Sequence, residues 1–240
     1  MRRDHRPTGL KRLQASLEAA YTKHFIRPQL DGLGAEPMIM KPWYFKPHGH
    51  QISLGEAVHV ITARDRTVRL TTWSFGDHQG QIDVQDHALL CPGVRIDSAS
   101  KVTVGKGTML AANAYVTDAD WHDLYDRTQP IGTTRPVVLE DNVWIGDSAI
   151  VCKGVTVGTN SVIGTGSVVT RSIPPNVIAA GNPAQVIRKL DPDRDTFTRS
   201  ELLADPAQLS AQMADLDRYL RQENTWLKWL QALLAPKPGD

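Results

Sequence analysis

Residues 139–170 read LEDNVWIGDSAIVCKGVTVGTNSVIGTGSVVT, and stepping through them by six returns Leu139, Ile145, Val151, Val157, Ile163 and Val169 without exception. A helix needs apolar steps of three and four, and a half-buried strand needs strict alternation. A period of six suits neither as one continuous element. It suits short strands joined by turns, each sending one side chain inward at the same height, which is the signature of a β-solenoid. Small or branched residues (Val137, Val143, Ala149, Val155, Ser161 and Ser167) stand two positions before each inward residue. Gly146, Gly158 and Gly164 directly follow it, and are expected to supply turn conformations that a Cβ would obstruct.

Weaker copies lie upstream: Leu54 and Val60; Val84, Leu90 and Ile96; Val104, Leu110 and Val116. The steps between these runs are longer, ten from Val60 to Leu70, fourteen from Leu70 to Val84 and eight from Ile96 to Val104. Insertions at solenoid corners account for them, because a corner can bulge without disturbing the stacked strands. The largest step, twenty-three from Val116 to Leu139, holds an excursion over residues 117–138. Long loops in compact folds tend to be functional or disordered. This one carries Asp118, Asp120, Trp121, His122, Asp123 and Tyr125, and is read as functional.

The flanks follow other patterns. Leu10, Leu13, Leu17 and Ala20 predict a helix over 8–25 behind a Thr8 cap. Asp205-Pro206 forms a cap and first-turn pair ahead of Leu209, Met213, Leu216, Leu220, Leu227, Leu230 and Leu234, broken in step at Glu223. That pattern predicts one long amphipathic helix over 206–234, widened by Trp226, Trp229 and Leu233, docking on the solenoid or on a sister subunit. The expected division is a helical and extended segment 1–50, a solenoid 51–190 and a helical extension 191–240.

Composition narrows the class. The 27 basic and 26 acidic residues leave a net charge of +1, which speaks against nucleic acid as the main partner. Two cysteines, Cys91 and Cys152, form neither a disulfide framework nor a metal-type spacing. The basic start Met1-Arg2-Arg3 has no apolar stretch behind it, so no signal peptide is read. No apolar run reaches the length of a membrane span. The expectation is a soluble cytoplasmic protein.

Taken with Ile173-Pro-Pro-Asn-Val-Ile-Ala-Ala-Gly-Asn-Pro-Ala184, the repeat resembles the hexapeptide-repeat acyltransferases, nearest to the maltose and galactoside O-acetyltransferases and polysaccharide-modifying enzymes. The match is dense over 104–190, weaker over 52–103 and absent from both terminal helical segments. The resemblance implies a mainly β protein: a left-handed parallel β-helix with three hexapeptides per coil, assembled as a homotrimer. The active site would lie between subunits, with acetyl-CoA along the solenoid wall as acyl donor and no metal. That hand opposes the usual right-handed crossover preference.

The implied reaction moves an acetyl or short acyl group from coenzyme A to a hydroxyl. A hydroxyl needs a base to take its proton, and histidine, with an ordinary pKa of about 6.5, suits that task. His122 matches the family's loop histidine when one extra residue is allowed before it. Asp120 and Asp123 stand close enough in sequence to orient the ring. Asp147 matches the position whose main-chain N–H stabilises the oxyanion, although a small residue is expected there. Asn113 and Trp144 match positions near the family's active site, or serve as a corner asparagine and a packing tryptophan. Thr165, Thr170 and Arg171 match coenzyme A contacts. So does Arg188, with Gln185 in place of its usual partner and Lys189 beside it as compensation. The family's sugar-binding asparagine and aspartate are replaced by Cys91 and Ala99, with Asp97 out of register, so the acceptor stays open. A γ-type carbonic anhydrase, which needs three histidines on zinc, has His78 and His87 available, but no histidine pairs with His122 at the family's close spacing. A non-catalytic scaffold would lack the histidine-bearing loop.

Overall fold

The computed structural model describes residues 4–237; the basic Met1-Arg2-Arg3 start lies outside them. The chain winds into six coils of three short strands. The first coil is β1 (Gly32–Leu33), β2 (Met38–Met40) and β3 (Phe45–His48), and the second β4 (Ile52–Leu54), β5 (His59–Ile61) and β6 (Val68–Thr72). A hairpin, β7 (Ser74–Phe75) and β8 (His78–Gln79), then leaves the wall. The third coil is β9 (Ile82–Val84), β10 (Leu89–Leu90) and β11 (Arg95–Ser98), and the fourth β12 (Val102–Val104), β13 (Met109–Leu110) and β14 (Tyr115–Thr117). After the excursion come β15 (Val137–Leu139), β16 (Trp144–Ile145) and β17 (Ile150–Val151), then β18 (Thr156–Val157), β19 (Val162–Ile163) and β20 (Val168–Val169).

Each strand pairs in parallel with its counterpart one coil away, giving three sheets. Their orders are β1-β4-β9-β12-β15-β18, β2-β5-β10-β13-β16-β19 and β3-β6-β11-β14-β17-β20. The second sheet is extended by β21 (Val177–Gly181), which is parallel to β19, and by β22 (Ala184–Lys189), which folds back antiparallel. Leu139, Ile145, Val151, Val157, Ile163 and Val169 have no exposed surface and stack inside the tube. Fully burying such a side chain contributes roughly 1.5–3 kcal/mol, so the inward rows hold the coils together.

Two features of the wall refine the sequence reading. Gly146 and Gly158 make room for the next coil, and neither holds a left-handed turn. A Cβ on Gly146 would stand 2.6 Å from the Ile163 carbonyl oxygen, and one on Gly158 2.4 Å from the Pro175 nitrogen. Left-handed corners fall instead on other glycines, Gly154 and Gly166, and on asparagines such as Asn142, Asn160 and Asn176, at φ near 55°, 62° and 59°, where asparagine is better tolerated than most residues. Their amides also bond coil to coil, Asn142 Nδ2 to Asn160 Oδ1 at 3.0 Å and Asn160 Nδ2 to Asn176 Oδ1 at 2.9 Å.

Three expectations need correction. Sheet pairing starts at Gly32, a full coil ahead of residue 51. The N-terminal helix α1 spans Thr8–Tyr21 with Pro7 as its cap residue, and Thr8 is helical. Past it, the chain widens into a π turn, Thr22–Ile26, and then tightens into a 3₁₀ turn, Arg27–Gln29. The long C-terminal helix over 206–234 is in fact two, α3 (Pro206–Arg221) and α4 (Trp226–Leu234), preceded by a short α2 (Arg199–Leu202). The break is chemical. Asn224 donates through Nδ2 to the Asp4 and Arg6 carbonyls at 2.6 and 3.1 Å, and the Thr225 hydroxyl caps a new helix by accepting from Lys228 N–H. Asp205 caps α3 as read, accepting from Gln208 N–H. The apolar residues of α3 and α4 do not dock on the solenoid: Met213, Leu216, Leu220, Leu227, Leu230 and Leu234 are all exposed. Among the described residues no helix is long and apolar enough to cross a membrane.

Candidate active site

The excursion leaves β14 and returns to β15 on a neck whose two legs are zipped together. Asp120 N–H donates to the Thr133 carbonyl, Gly132 N–H to that of Asp120 and Arg135 N–H to that of Asp118. The neck is anchored by Asp118, which has no exposed surface and accepts from Ser98 Oγ at 2.6 Å, Ala99 N–H at 2.8 Å and Ser100 N–H at 2.9 Å. Beneath it Ala99, Ala119 and Ile131 form a small core with Trp121 against it. Trp121 also donates through Nε1 to the Tyr115 hydroxyl at 3.2 Å. Gly132 runs so close to the other leg that a Cβ there would lie 2.5 Å from the His122 carbonyl oxygen.

The loop so held forms one wall of a cleft of about 530 Å³, lined from the loop by Trp121, His122, Pro130 and Ile131. The β7–β8 hairpin end supplies Trp73 and Phe75, and the outer face of β6 and β11 supplies Arg69, Thr71, Arg95 and Asp97. The rings of Trp73 and Trp121 meet at 5.9 Å. Two insertions, the excursion and the hairpin, therefore build the cleft between them. On its floor Arg95 is engaged twice, ion-paired with the buried Asp97 and lying 4.6 Å over the Tyr115 ring. The Asp97 hydrogen bond raises the Arg95 pKa further, against the opposing effect of burial.

His122 Nδ1 lies 3.3 Å from the Gln129 carbonyl oxygen. A carbonyl only accepts, so this contact selects the tautomer protonated on Nδ1 and leaves the Nε2 lone pair available. Neither neighbouring aspartate orients the ring. Asp120 pairs with Lys153 of the next coil, and Asp123 accepts from Tyr125 and Asp126 N–H, shaping the loop turn.

The remaining candidates lie elsewhere on the chain. Asn113 is an exposed corner residue at φ near 57°. Trp144 stands half exposed on the second sheet. Asp147 accepts from Ser148 Oγ at 2.6 Å, and its carbonyl from Gly166 N–H. Thr165, Thr170, Arg171, Arg188 and Lys189 are all exposed at the last coil and the β22 exit strand. Within the third sheet β20 is three strands beyond β11, about 14 Å at the usual strand spacing. Cys91 is half-buried beside Arg199 of α2, and burial pushes its thiol pKa up. His78, His87 and His122 sit on three separate elements, with His87 Nδ1 3.1 Å from Ser200 Oγ. Among the described residues no three ligating side chains converge as a metal would require. Sequence reading missed Arg69, Trp73, Phe75 and Arg95; only the fourteen-residue step from Leu70 to Val84 marked the hairpin that brings two of them in.

The repeat over residues 136–171 matches the bacterial transferase hexapeptide family model, six repeats in all. Over that stretch the repeat and the parallel solenoid it builds resemble those of hexapeptide transferases. The chain is 43% identical over 96 residues to the galactoside O-acetyltransferase of Escherichia coli, an alignment covering 39% of this chain and 46% of that one. It is 39% identical over 125 residues to a Saccharomyces cerevisiae protein named "Putative acetyltransferase", covering 52% and 64%. The chain thus spans 44–64% of the length of the first curated relatives it matches. Among solved structures it resembles AntD, an N-acyltransferase from Bacillus cereus, crystallised with dTDP-4-amino-4,6-dideoxyglucose and coenzyme A. The TM-score is 0.58 at 15% identity, over 81% of this chain and 96% of that one, a likeness of fold.

Proposed function

We propose that the protein transfers an acetyl or short acyl group from coenzyme A to a hydroxyl of a saccharide-like acceptor, with His122 as general base. The observation that carries this reading is His122 at the cleft wall, its Nδ1 turned to the Gln129 carbonyl. In the reaction Nε2 takes the acceptor hydroxyl proton as the oxygen attacks the thioester carbonyl. The oxyanion is assigned to the main-chain N–H of Asp147 from a neighbouring copy, since on this chain Asp147 lies outside the cleft. Collapse of the tetrahedral intermediate breaks the C–S bond, and the imidazolium returns the proton to the departing coenzyme A sulfur. The names of the aligned relatives support this activity.

Thr165, Thr170, Arg171, Arg188 and Lys189 are assigned to coenzyme A, the cations to its phosphates. The coil is assigned a left hand, and the assembly three copies, with the bare faces of α3 and α4 against neighbours. The solenoid then serves as the transferase domain and the C-terminal helices as its assembly extension. Two free thiols and a coenzyme A donor fit the cytoplasm. The test is thiol release from acetyl-CoA with and without saccharide acceptors. Acceptor-dependent release is expected; its absence across neutral, acidic and phosphorylated sugars would sink the reading.

A further inference from the structure

The register of the third sheet brings together charges that are far apart in sequence. Lys46 on β3 pairs with Arg69 on β6, and Arg69 with Arg95 on β11. All three face outward on adjacent strands, about 4.8 Å apart at the usual spacing. Like charges side by side in a sheet are destabilising, and one carboxylate, Asp97, is available to offset them on β11. Asp97 and the Tyr115 ring together engage Arg95. Arg69 has no acidic partner among the described residues, yet it lines the same cleft as His122. The next row along the same strands, His48, Thr71, Asp97 and Thr117, adds no second acid.

Around Arg69 the cleft is aromatic: Trp73 and Phe75 are 49% and 58% exposed, open to a ligand on the hairpin side. A guanidinium fork matches a carboxylate or phosphate, and a flat indole accommodates the C–H face of a sugar ring. We infer that the acceptor is an anionic saccharide, its acidic group seated on Arg69 and its ring against Trp73, which places a hydroxyl on the His122 side of the cleft. This rests on the acyl-transfer reading and narrows its substrate class.

Equilibrium binding followed by tryptophan fluorescence tests it on the full-length protein, with a neutral hexose, the corresponding hexuronic acid and the hexose 1-phosphate as probes. One of the two acidic sugars should bind about tenfold or more tightly than the neutral one, the size of one charge-assisted contact. The preference should shrink as salt is added, and the tighter of the two identifies carboxylate or phosphate as the group recognised. Arg69→Glu, an exposed strand position that folding tolerates, should reverse the preference, and Arg69→Lys should keep part of it. Equal affinity for all three sugars at low salt, or an unchanged preference in Arg69→Glu, overturns the proposal. Discrimination without any thiol release from acetyl-CoA would leave the anion site standing and place the failure in the acyl-transfer reading.

Discussion

At the scale of single residues, Asp118 shows how the loop is tied to the wall. Its carboxylate is fully enclosed, and three donors from the β11–β12 connection converge on it. Replacing it with alanine removes the acceptor of the Ala99 and Ser100 N–H groups, while Ser98 Oγ keeps the Gln81 carbonyl, a cost of about 2 kcal/mol or more. Asp118→Ala is therefore expected to unfold at lower denaturant concentration and, by loosening the neck, to lose turnover out of proportion to any change in acetyl-CoA binding; equal stability would refute the anchoring role. Sequence placed Asp118 in a functional loop but gave no hint of its partners, because Ser98 and Ala99 lie on the coil below. His122 was legible from its place in the largest break of the repeat. Its orienting group was not: the sequence drew attention to Asp120 and Asp123, whereas the contact is a main-chain carbonyl, which leaves no mark in residue types.

Among elements, the inward rows and corner insertions were legible because a period of six survives any corner length. The first coil was missed although Leu33, Ile39 and Phe45 also step by six. An aromatic in the row and Pro42 and Pro47 around it disguise the pattern. The short helix α2 was hidden for another reason: it folds back on a distant wall. Arg199 Nε donates to the His87 carbonyl at 3.0 Å, and α2 is closed by a capping box between Thr198 and Glu201. Burial, with the nearby Arg199 charge, depresses the pKa of His59 on β5 below its ordinary value. The native state therefore binds this proton less readily than the unfolded chain. Stability is full above the unfolded pKa, about 6.5, and declines as pH falls from there toward the lower folded value. His59→Gln should flatten that decline in melting temperature between pH 7 and 5; an unchanged slope would show that other groups set it.

For the whole molecule, the apolar stripe of the C-terminal helices was correctly read, but as one helix docked on the solenoid or on a sister subunit. Asn224 and Thr225 break it in two, and its leucines remain outside. In a trimer those faces would be covered. Size measured by light scattering should correspond to three chains, and deleting residues 206–240 should lower it or bring aggregation; an unchanged assembly would remove the helices from the interface. The central claim is that chemistry occurs at the break in the repeat, where His122 supplies the base. Its most direct test is steady-state turnover of His122→Ala beside acetyl-CoA binding. The account predicts a loss of about 10²–10⁴-fold in kcat, the usual worth of a general base, with acetyl-CoA affinity retained; turnover equal to that of the unaltered protein would contradict it.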